Sequence, residues 1–436
     1  MEQTKVKKRV AIFPAGSEIG LEILNAMRYS TFFEPVGFSS VPCHGAFVYR
    51  EYYEGLPFYT DAQFITVLNE WIALYKIDFI YPAYDDIQLF LTDHQEEIAC
   101  PIVTSEKNTV DICRSKEKTY EYLLQFAEGD ALVPKTYHSS EEVTGYPVFI
   151  KPDVGQGSQG AQLIHTKDEL RYALQNDKKK VICEYLPGEE YTVDCFTSRK
   201  GELLSCKMRN RKRIRNGISV SSEVLKLPET VERAALFINS KFTFQGAWFF
   251  QIKKDVNGNY RLLEIAPRIA GTMGLTRNTG INYPILTLFT LMGTEVSVIA
   301  NDYPLKVDRA LISRYQMGIE YKRVYVDLDD TLIVDGKVNT VLMRFLYQCV
   351  NQEKEIYLLT RHIREVKQTL SEHHIAESLF QQIIHIKDDT AKSNYIKEKS
   401  IFIDDSFRER KDVREHCSIP VFDCSEVESL INWRIG

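Results

Sequence analysis

The chain has 436 residues, enough for about two to four domains of ordinary size. Its apolar and charged fractions, 44% and 26%, are those of a globular protein and exclude a disordered or fibrous chain. The net charge of −6 argues against a general role on nucleic acid, because such proteins usually carry a basic excess.

Localisation is predicted from apolar runs and cysteines. No run reaches the length of a membrane span, and the start lacks the pattern of a secretory leader. The nine cysteines are scattered and odd in number, and none makes a CxxC pair. We therefore expect a soluble cytoplasmic protein with mostly buried thiols and without a disulfide framework or structural zinc site.

The beginning of the chain alternates strands and helices. Residues 10–13 are an apolar strand that runs into a glycine-containing turn and an apolar helix pattern, the opening of a βαβ unit. Further strands are predicted at 78–82 and 101–104. Residues 1–112 should therefore form a small open α/β domain. Tyr84-Asp85-Asp86 follows one of these strands, and either a substrate contact or a helix N-cap explains it.

A lysine and a glycine-rich loop follow a predicted helix at 116–126. Residues 148–151 are a strand that ends on Lys151, and Gly155-Gln-Gly-Ser-Gln-Gly160 comes shortly after it. Glycines let backbone N–H groups turn towards a phosphate, and a nearby ammonium supplies a compact positive charge. A glycine cluster alone is equally compatible with a plain turn.

Carboxylates and amides then collect at strand ends. Glu184, Glu190 and Asp194 lie at the end of one predicted strand and in the next. Two further strands are joined by an Asn-Gly turn that would set Gln251 beside Glu264, facing the same way. Oxygen ligands at strand ends, completed by phosphate oxygens, suit Mg²⁺.

The order of these elements resembles the ATP-grasp superfamily over residues 5–320, in particular its carbamoyl-phosphate-synthetase and amino-acid-ligase branch. The motifs are Arg114-Ser-Lys116, the strand lysine, the glycine flap, the Glu-rich hinge and the strand Glu264-Ile-Ala-Pro-Arg268. The resemblance implies a pre-ATP-grasp Rossmann-like domain at 1–112. It implies an ATP-grasp domain at 113–320, with a lid at about 125–186.

The resemblance also implies roles for single residues. Gln251 and Glu264 would hold Mg²⁺, and Arg268 would bind an acyl phosphate or a substrate carboxylate. The lysines and glycines would contact the ATP phosphates, the hinge would face the adenine, and its second glutamate would bind the ribose. These nucleotide-contacting positions are Lys116, Lys151, Gly155, Gly157, Ser158, Gly160, Glu184, Tyr185, Leu186 and Glu190.

Two features leave alternatives open. Many family members carry Asn two residues after the metal-binding Glu, where this chain has Ala266, so the number of metal ions is undecided. Asn278 is a candidate replacement. The basic run 207–215 fits a solvated strand face, or arginines directed at phosphate or an anionic substrate.

The last part of the chain returns to a strand–helix rhythm, which predicts a parallel sheet. An apolar strand at 324–326 leads into D-x-D-x-T with Asp327 and Asp329, a second strand ends on Thr360, and a third precedes Asp404-Asp405. Sites in such folds lie at the carboxyl ends of the strands. Residues 334–337, Val-Asp-Gly-Lys, are predicted to form a short hairpin.

Residues 321–436 resemble a capless haloacid dehalogenase-like α/β domain, which implies a Mg²⁺-dependent phosphatase. Asp327 would be the nucleophile and Asp329 the general acid/base. Thr360 and a lysine would bind the phosphate. Lys392 is preferred over Lys387 because a helix is predicted at 393–398, directly after it.

The resemblance completes this site with metal ligands. Asp327, Asp404 and the backbone carbonyl of Asp329 would hold Mg²⁺, with Asp405 assisting.

The predicted enzyme ligates a small carboxylate to an amine and uses ATP and Mg²⁺, and phosphorylation of these substrates is left open. Neither nucleic acid nor a membrane is an expected partner, and homo-oligomerisation is left open. One alternative is a phosphatase regulated by an ATP-grasp module that binds ATP without ligating, which Ala266 favours. A non-catalytic assembly protein would leave two motif sets unexplained.

Overall fold

The computed structural model describes residues 6–155, 157, 159–175, 179–215 and 217–435. It divides into two compact units, Met1–Leu311 and Ile312–Gly436. The boundary predicted at 112 does not separate compact units, because a helix crosses it and Cys113 packs in the core that follows. The boundary predicted at 320 lies shortly after the observed division.

The first unit begins with a parallel sheet in the strand order β3-β2-β1-β4. Val10, Ala11 and Ile12 of the central strand are fully buried, as expected for a sheet covered on both faces. The strand predicted at 101–104 is only a single bridge from Ile102 to Ile80. The elements are β1 Lys8–Phe13, α1 Glu18–Met27, β2 Phe33–Ser39, β3 Glu51–Glu54, α2 Phe64–Leu74, β4 Phe79–Pro82 and α3 Asp85–Asp93.

A small antiparallel sheet follows, in the order β5-β8-β6-β7. The glycine-rich loop joins β6 to β7, and an apolar cluster that includes Ile150 and Leu170 forms the core under this sheet. The helix predicted at 116–126 ends at Leu123. The elements are α4 Lys107–Arg114, α5 Lys116–Leu123, α6 Ala127–Leu132, β5 Thr136–Tyr137, β6 Val148–Pro152, β7 Gln162–Ile164, α7 Lys167–Ala173 and β8 Lys180–Glu184.

The largest sheet of the first unit runs β11-β12-β10-β9-β13-β14, and β15 pairs with β12. One face carries Val193, Trp248 and Phe250 into a buried core with α8, which leaves the polar positions of the same strands on the opposite face. The elements are β9 Glu190–Thr197, β10 Leu203–Asn210, β11 Arg213–Arg215, β12 Ile218–Leu225, α8 Glu229–Lys241, β13 Gly246–Lys254, β14 Tyr260–Ala266, α9 Gly274–Arg277, α10 Tyr283–Leu291 and β15 Lys306–Asp308.

The second unit is built on a parallel sheet in the order β20-β19-β16-β21-β22, as predicted. The short hairpin predicted at 334–337 is confirmed by β17 and β18. The helix predicted at 393–398 is wrong, because the chain makes only a 3₁₀ turn at Lys392–Tyr395. The elements are β16 Arg323–Val326, β17 Ile333–Val334, β18 Lys337–Val338, α11 Thr340–Asn351, β19 Glu355–Thr360, α12 Val366–Glu372, β20 Gln382–His385, β21 Ser400–Ile403, α13 Phe407–Cys417 and β22 Val421–Phe422.

The nine cysteines are all free, and most of them are buried, as predicted. Among the residues that the structure describes, no helix is both long and apolar enough to cross a bilayer.

Candidate active sites

The residues predicted to bind a metal lie on the polar face of the largest sheet. Alternation along β9 puts Glu190, Thr192 and Asp194 on this face. Gln251 on β13 lies directly opposite Glu264 on β14 and, on its other side, opposite Thr192. The predicted pairing of Gln251 with Glu264 is therefore confirmed.

This pair has the chemistry of a magnesium site. Neither Gln251 nor Glu264 has a hydrogen-bond or ion-pair partner among the described side chains, and both line two adjoining cavities. Their oxygens are thus free for a hard cation that is completed by phosphate oxygens. Ala266 lines one of these cavities but supplies no ligand. Asn278 is exposed, and its amide donates to the Gly274 carbonyl oxygen at 2.7 Å, so it does not replace the missing asparagine.

Most of the predicted site residues line two adjoining cavities, and several of them line both. The smaller has a volume of about 150 Å³ and the larger about 320 Å³. Arg268 lines the larger one, Gly160 lines neither, and Ser158 lies outside the described residues. The predicted residues that line the smaller cavity are Lys116, Lys151, Gly155, Gly157, Glu184, Tyr185, Leu186, Glu190, Gln251 and Glu264.

Two ammonium groups face the smaller cavity. Lys151 Nζ is 2.7 Å from Tyr120 Oη and 3.0 Å from the Leu263 carbonyl oxygen. Burial lowers the pKa of Lys151 and that of Lys116, and the charge of Glu264 opposes this in both cases. Since neither ammonium forms an ion pair with another described residue, both are available to a phosphate. No motif in the sequence indicated the contribution of Tyr120.

The glycine-rich loop touches the turn between β11 and β12. Gly157 and Gly217 both have positive φ, 61° and 76°, and a Cβ on Gly217 would overlap the backbone of Gly157. Arg211 donates to the Gly217 carbonyl oxygen at 2.7 Å, and its Nε lies 3.0 Å from Glu190 Oε1. The glutamate predicted to bind ribose is therefore paired with a member of the basic run.

The basic run is divided between the cavities and the surface. Arg209 and Arg211 line the larger cavity, and Arg209 Nε lies 2.9 Å from the buried Asp194 Oδ2. Arg213 is exposed and pairs with Asp308. The run is therefore divided between side chains that line the cleft and side chains on the solvated surface.

Arg268 is held by a carboxylate from the first sheet. Its Nε and one terminal nitrogen lie 2.6 Å from the two oxygens of Asp85. Burial alone would raise the pKa of Asp85, but the charge of Arg268 lowers it. The segment Tyr84-Asp85-Asp86 begins α3, with Tyr84 at the N-cap position but without a side-chain capping hydrogen bond. Asp85 also lines the larger cavity.

Comparisons with known proteins relate the first unit to ATP-grasp proteins. Residues 176–310 match a family model described as "ATP-grasp in the biosynthetic pathway with Ter operon". The carbamoyl phosphate synthase large chain of Clostridium botulinum is 26% identical over 206 residues, 42% of this chain and 19% of that protein. The D-alanine–D-alanine ligase of Fusobacterium nucleatum is 40% identical over 60 residues, 14% of this chain and 21% of that protein. The chain thus spans about a fifth of the length of these relatives.

Solved structures share the fold. The N5-carboxyaminoimidazole synthetase of Staphylococcus aureus with ADP has a TM-score of 0.56 and 17% identity, over 71% of this chain and 84% of that one. The biotin carboxylase domain of the Hydrogenobacter thermophilus 2-oxoglutarate carboxylase, with MgADP and bicarbonate, has a TM-score of 0.54 and 14% identity, over 66% and 70%. The first unit contains an ATP-grasp domain. The predicted ATP-grasp fold is thereby confirmed.

The family model for the ATP-grasp domain ends at residue 310, before the second unit begins. Asp327 follows β16, Thr360 ends β19 and Asp404 follows β21, and these three strands are neighbours. Lys392 Nζ lies 2.8 Å from Asp327 Oδ1 and 2.7 Å from Asp404 Oδ2. Lys387, in contrast, is exposed.

Burial controls the electrostatics of this cluster. It raises the pKa of Asp327 and raises that of Asp404 to about 6, although the nearby Lys392 charge opposes both shifts. Burial alone would lower the pKa of Lys392, but the two carboxylates raise it. One cation is thus shared by two carboxylates whose negative charge is incompletely balanced.

The same carboxylates fit a divalent cation. Oxygens of Asp327, Asp404 and Asp405 all lie within 4.8 Å of one another, and the first two residues are buried. A hard cation such as Mg²⁺ prefers this all-oxygen donor set. Asp329, two residues after Asp327, is half-exposed and is bound by His362, which sequence reasoning did not identify.

Proposed function

We propose that the first unit is an ATP-dependent carboxylate–amine ligase and that the second is a Mg²⁺-dependent phosphatase of the haloacid dehalogenase type. The observation that carries the ligase proposal is the Gln251–Glu264 pair, which has no partner among the described side chains, in a cleft with Lys116 and Lys151, which form no ion pair with another described residue. Relatives named as a ligase and a synthase, and similar structures with bound ADP, support it.

Charge dictates the ligase chemistry. A carboxylate is a poor acyl donor, and Mg²⁺-bound ATP supplies the phosphoryl group that makes an acyl phosphate for an amine to attack. Lys116 and Lys151 would neutralise phosphate charge, and Gln251 and Glu264 would hold Mg²⁺. Arg268, fixed by Asp85, presents a positive charge to the larger cavity, where an anionic substrate would bind.

The phosphatase reaction uses two aspartates. A carboxylate oxygen of Asp327 would attack phosphorus, and the bond to the leaving alcohol breaks while Asp329 donates a proton to that alcohol. Asp329 would then take a proton from the water that hydrolyses the aspartyl phosphate. Thr360 and Lys392 would bind the phosphoryl oxygens, and Asp404 with Asp405 would complete the Mg²⁺ site.

Two such activities in one chain fit a pathway in which a phosphorylated substrate is ligated and its phosphate is removed. The proposed ligase substrates are a small carboxylate and an amine, at least one of them phosphorylated.

The ligase proposal is tested by ADP release with Mg²⁺ across a panel of carboxylates crossed with amines, including phosphorylated amines. We expect one pair to elicit release and Lys151→Ala to lower it by about 100-fold, because a preorganised charge at the phosphates is lost. Lys226→Ala, which removes an exposed lysine, is the matched control. ADP release that does not depend on the added carboxylate and amine, or that persists in Lys151→Ala, would contradict the ligase proposal.

The phosphatase proposal is tested by phosphate release from aryl phosphates with Mg²⁺. Asp327→Asn should abolish it, whereas Asp335→Asn on the exposed β17–β18 turn should not. If no acid–amine pair releases ADP while ATP changes Asp327-dependent phosphate release, the regulated phosphatase favoured by Ala266 replaces the ligase.

A further inference from the structure

Both ring nitrogens of His362 make hydrogen-bond contacts. It follows β19 and is largely buried, with a side-chain exposure of 10%. Nδ1 lies 2.9 and 3.0 Å from the two carboxylate oxygens of Asp329, and Nε2 lies 2.7 Å from Thr369 Oγ1. With Nδ1 protonated, the ring donates to the Asp329 carboxyl group, and Nε2 can accept from the Thr369 hydroxyl.

The histidine is itself fixed to rigid elements. Its backbone N–H donates to Thr360 Oγ1 at 3.1 Å, and His385 Nε2 donates to its carbonyl oxygen at 2.7 Å. Thr369 is buried within α12. The backbone of His362 is therefore fixed by residues at the ends of two strands, and its ring contacts a helix.

Asp329 lacks comparable support of its own. Its side chain is 53% exposed, and it sits on the loop after β16, next to Asp330 with a φ of 50°. A carboxylate in such a loop samples several rotamers unless a partner selects one. Within the described chain, His362 is the one side chain that donates to it.

We infer that His362 is a positioning residue for the phosphatase reaction, holding the Asp329 carboxyl group where it can protonate the leaving oxygen. This inference rests on the proposed phosphatase function. His362 does not touch the reacting atoms; it acts through Asp329. Proton donation matters most when the leaving alcohol is strongly basic and least when it departs readily as an anion.

The test compares phenyl phosphate, a basic leaving group, with 2,4-dinitrophenyl phosphate, which leaves readily as an anion. His362→Ala should lower kcat/KM for phenyl phosphate by about 100-fold and leave kcat/KM for the dinitrophenyl ester nearly unchanged, because kcat/KM reports phosphoryl transfer to Asp327, the step in which the leaving oxygen needs a proton. Asp329→Asn should give the same pattern. In the Asp329→Asn background, His362→Ala should have no further effect.

Two variants separate positioning from folding. His362→Asn keeps an N–H donor near the place of Nδ1 and should restore part of the phenyl phosphate activity. His374→Asn makes the same change at an exposed position with a φ of 56°, which asparagine tolerates, and should leave both rates unchanged.

Equal loss for both esters in His362→Ala, or additive losses in the double variant, would overturn the positioning role while wild-type activity remains. Wild-type protein without Asp327-dependent hydrolysis of either ester would instead overturn the proposed phosphatase, and the inference with it.

Discussion

Lys151 has a buried ammonium that is held by a hydroxyl and a carbonyl rather than by a carboxylate. Tyr120 Oη accepts from Lys151 Nζ at 2.7 Å and donates to the Leu263 carbonyl oxygen at 2.8 Å, which links the lysine to β14. Burial lowers the pKa of Lys151, so a phosphate would supply the missing negative charge. The hydroxyl of Tyr120 therefore helps to fix the position of the Lys151 ammonium, which we propose binds the nucleotide phosphates.

We predict that Tyr120→Phe weakens MgADP binding by about five- to tenfold, because one hydrogen bond to a charged group is lost while the ring remains in place. Isothermal titration calorimetry measures the effect. Tyr172→Phe, at a residue with 77% exposure, serves as the control and should bind like the wild type. Unchanged affinity in Tyr120→Phe would show that the hydroxyl does not position Lys151.

A second residue-scale feature is the buried ion pair of Asp194 and Arg209. Both side chains are almost fully buried, and Thr276 Oγ1 also donates to Asp194 at 2.7 Å. Removing one partner of such a pair leaves an uncompensated charge in a medium that solvates it poorly.

We predict that Arg209→Met lowers the free energy of unfolding of the first unit by about 3–5 kcal/mol. Urea denaturation followed by tryptophan fluorescence reports it, since Trp248 lies in the core of the largest sheet. Arg213→Met breaks an exposed pair with Asp308 and should change stability little. Equal effects of the two variants would contradict the assigned difference in burial.

At the scale of elements, the glycine-rich loop meets the β11–β12 turn beside the smaller cavity. Gly157 and Gly217 both line this cavity, and their backbones meet without room for a side chain. The close approach requires glycine at 217 for its positive φ and for its missing Cβ.

We predict that Gly217→Ala lowers the free energy of unfolding and also raises the Kd for MgADP, because the glycine-rich loop must move away from the new Cβ. Gly201→Ala is the matched control: its φ of 82° imposes similar backbone strain, but a Cβ there would meet open space. Both variants should lose stability, and only Gly217→Ala should bind MgADP more weakly. Equal affinities would mean that the loop contact is unimportant.

At the scale of the whole molecule, each unit has its own core and its own candidate site. Val193, Trp248 and Phe250 belong to one core, and Val324, Phe345 and Leu358 to another. A unit with its own core can hold its site without the other.

We therefore predict that the two activities are separable. Lys151→Ala should leave Asp327-dependent phosphate release unchanged, and Asp327→Asn should leave ADP release unchanged. Both assays run on the full chain, with wild-type protein alongside. Loss of phosphate release in Lys151→Ala, or its dependence on ATP, would point to the regulated phosphatase instead.

The sequence by itself determined the features that arise within a strand or across a tight turn. The Asn-Gly turn sets Gln251 against Glu264 because alternation and hairpin register are local properties. Likewise, strand endings brought Asp327, Thr360 and Asp404 to one edge, since parallel neighbours end together. Prediction of secondary structure failed where local signals were weak: the helix predicted at 393–398 is only a 3₁₀ turn at Lys392–Tyr395.

Only the tertiary structure decided which side chains from distant segments meet. Asp85 holds Arg268 across 183 positions of sequence, and His362 reaches Asp329 across 33. It also placed the single division of the chain after Leu311. Such pairings depend on how sheets and helices pack, and a local sequence window carries no information about its distant neighbours. They are the contacts that orient the charged groups of both sites.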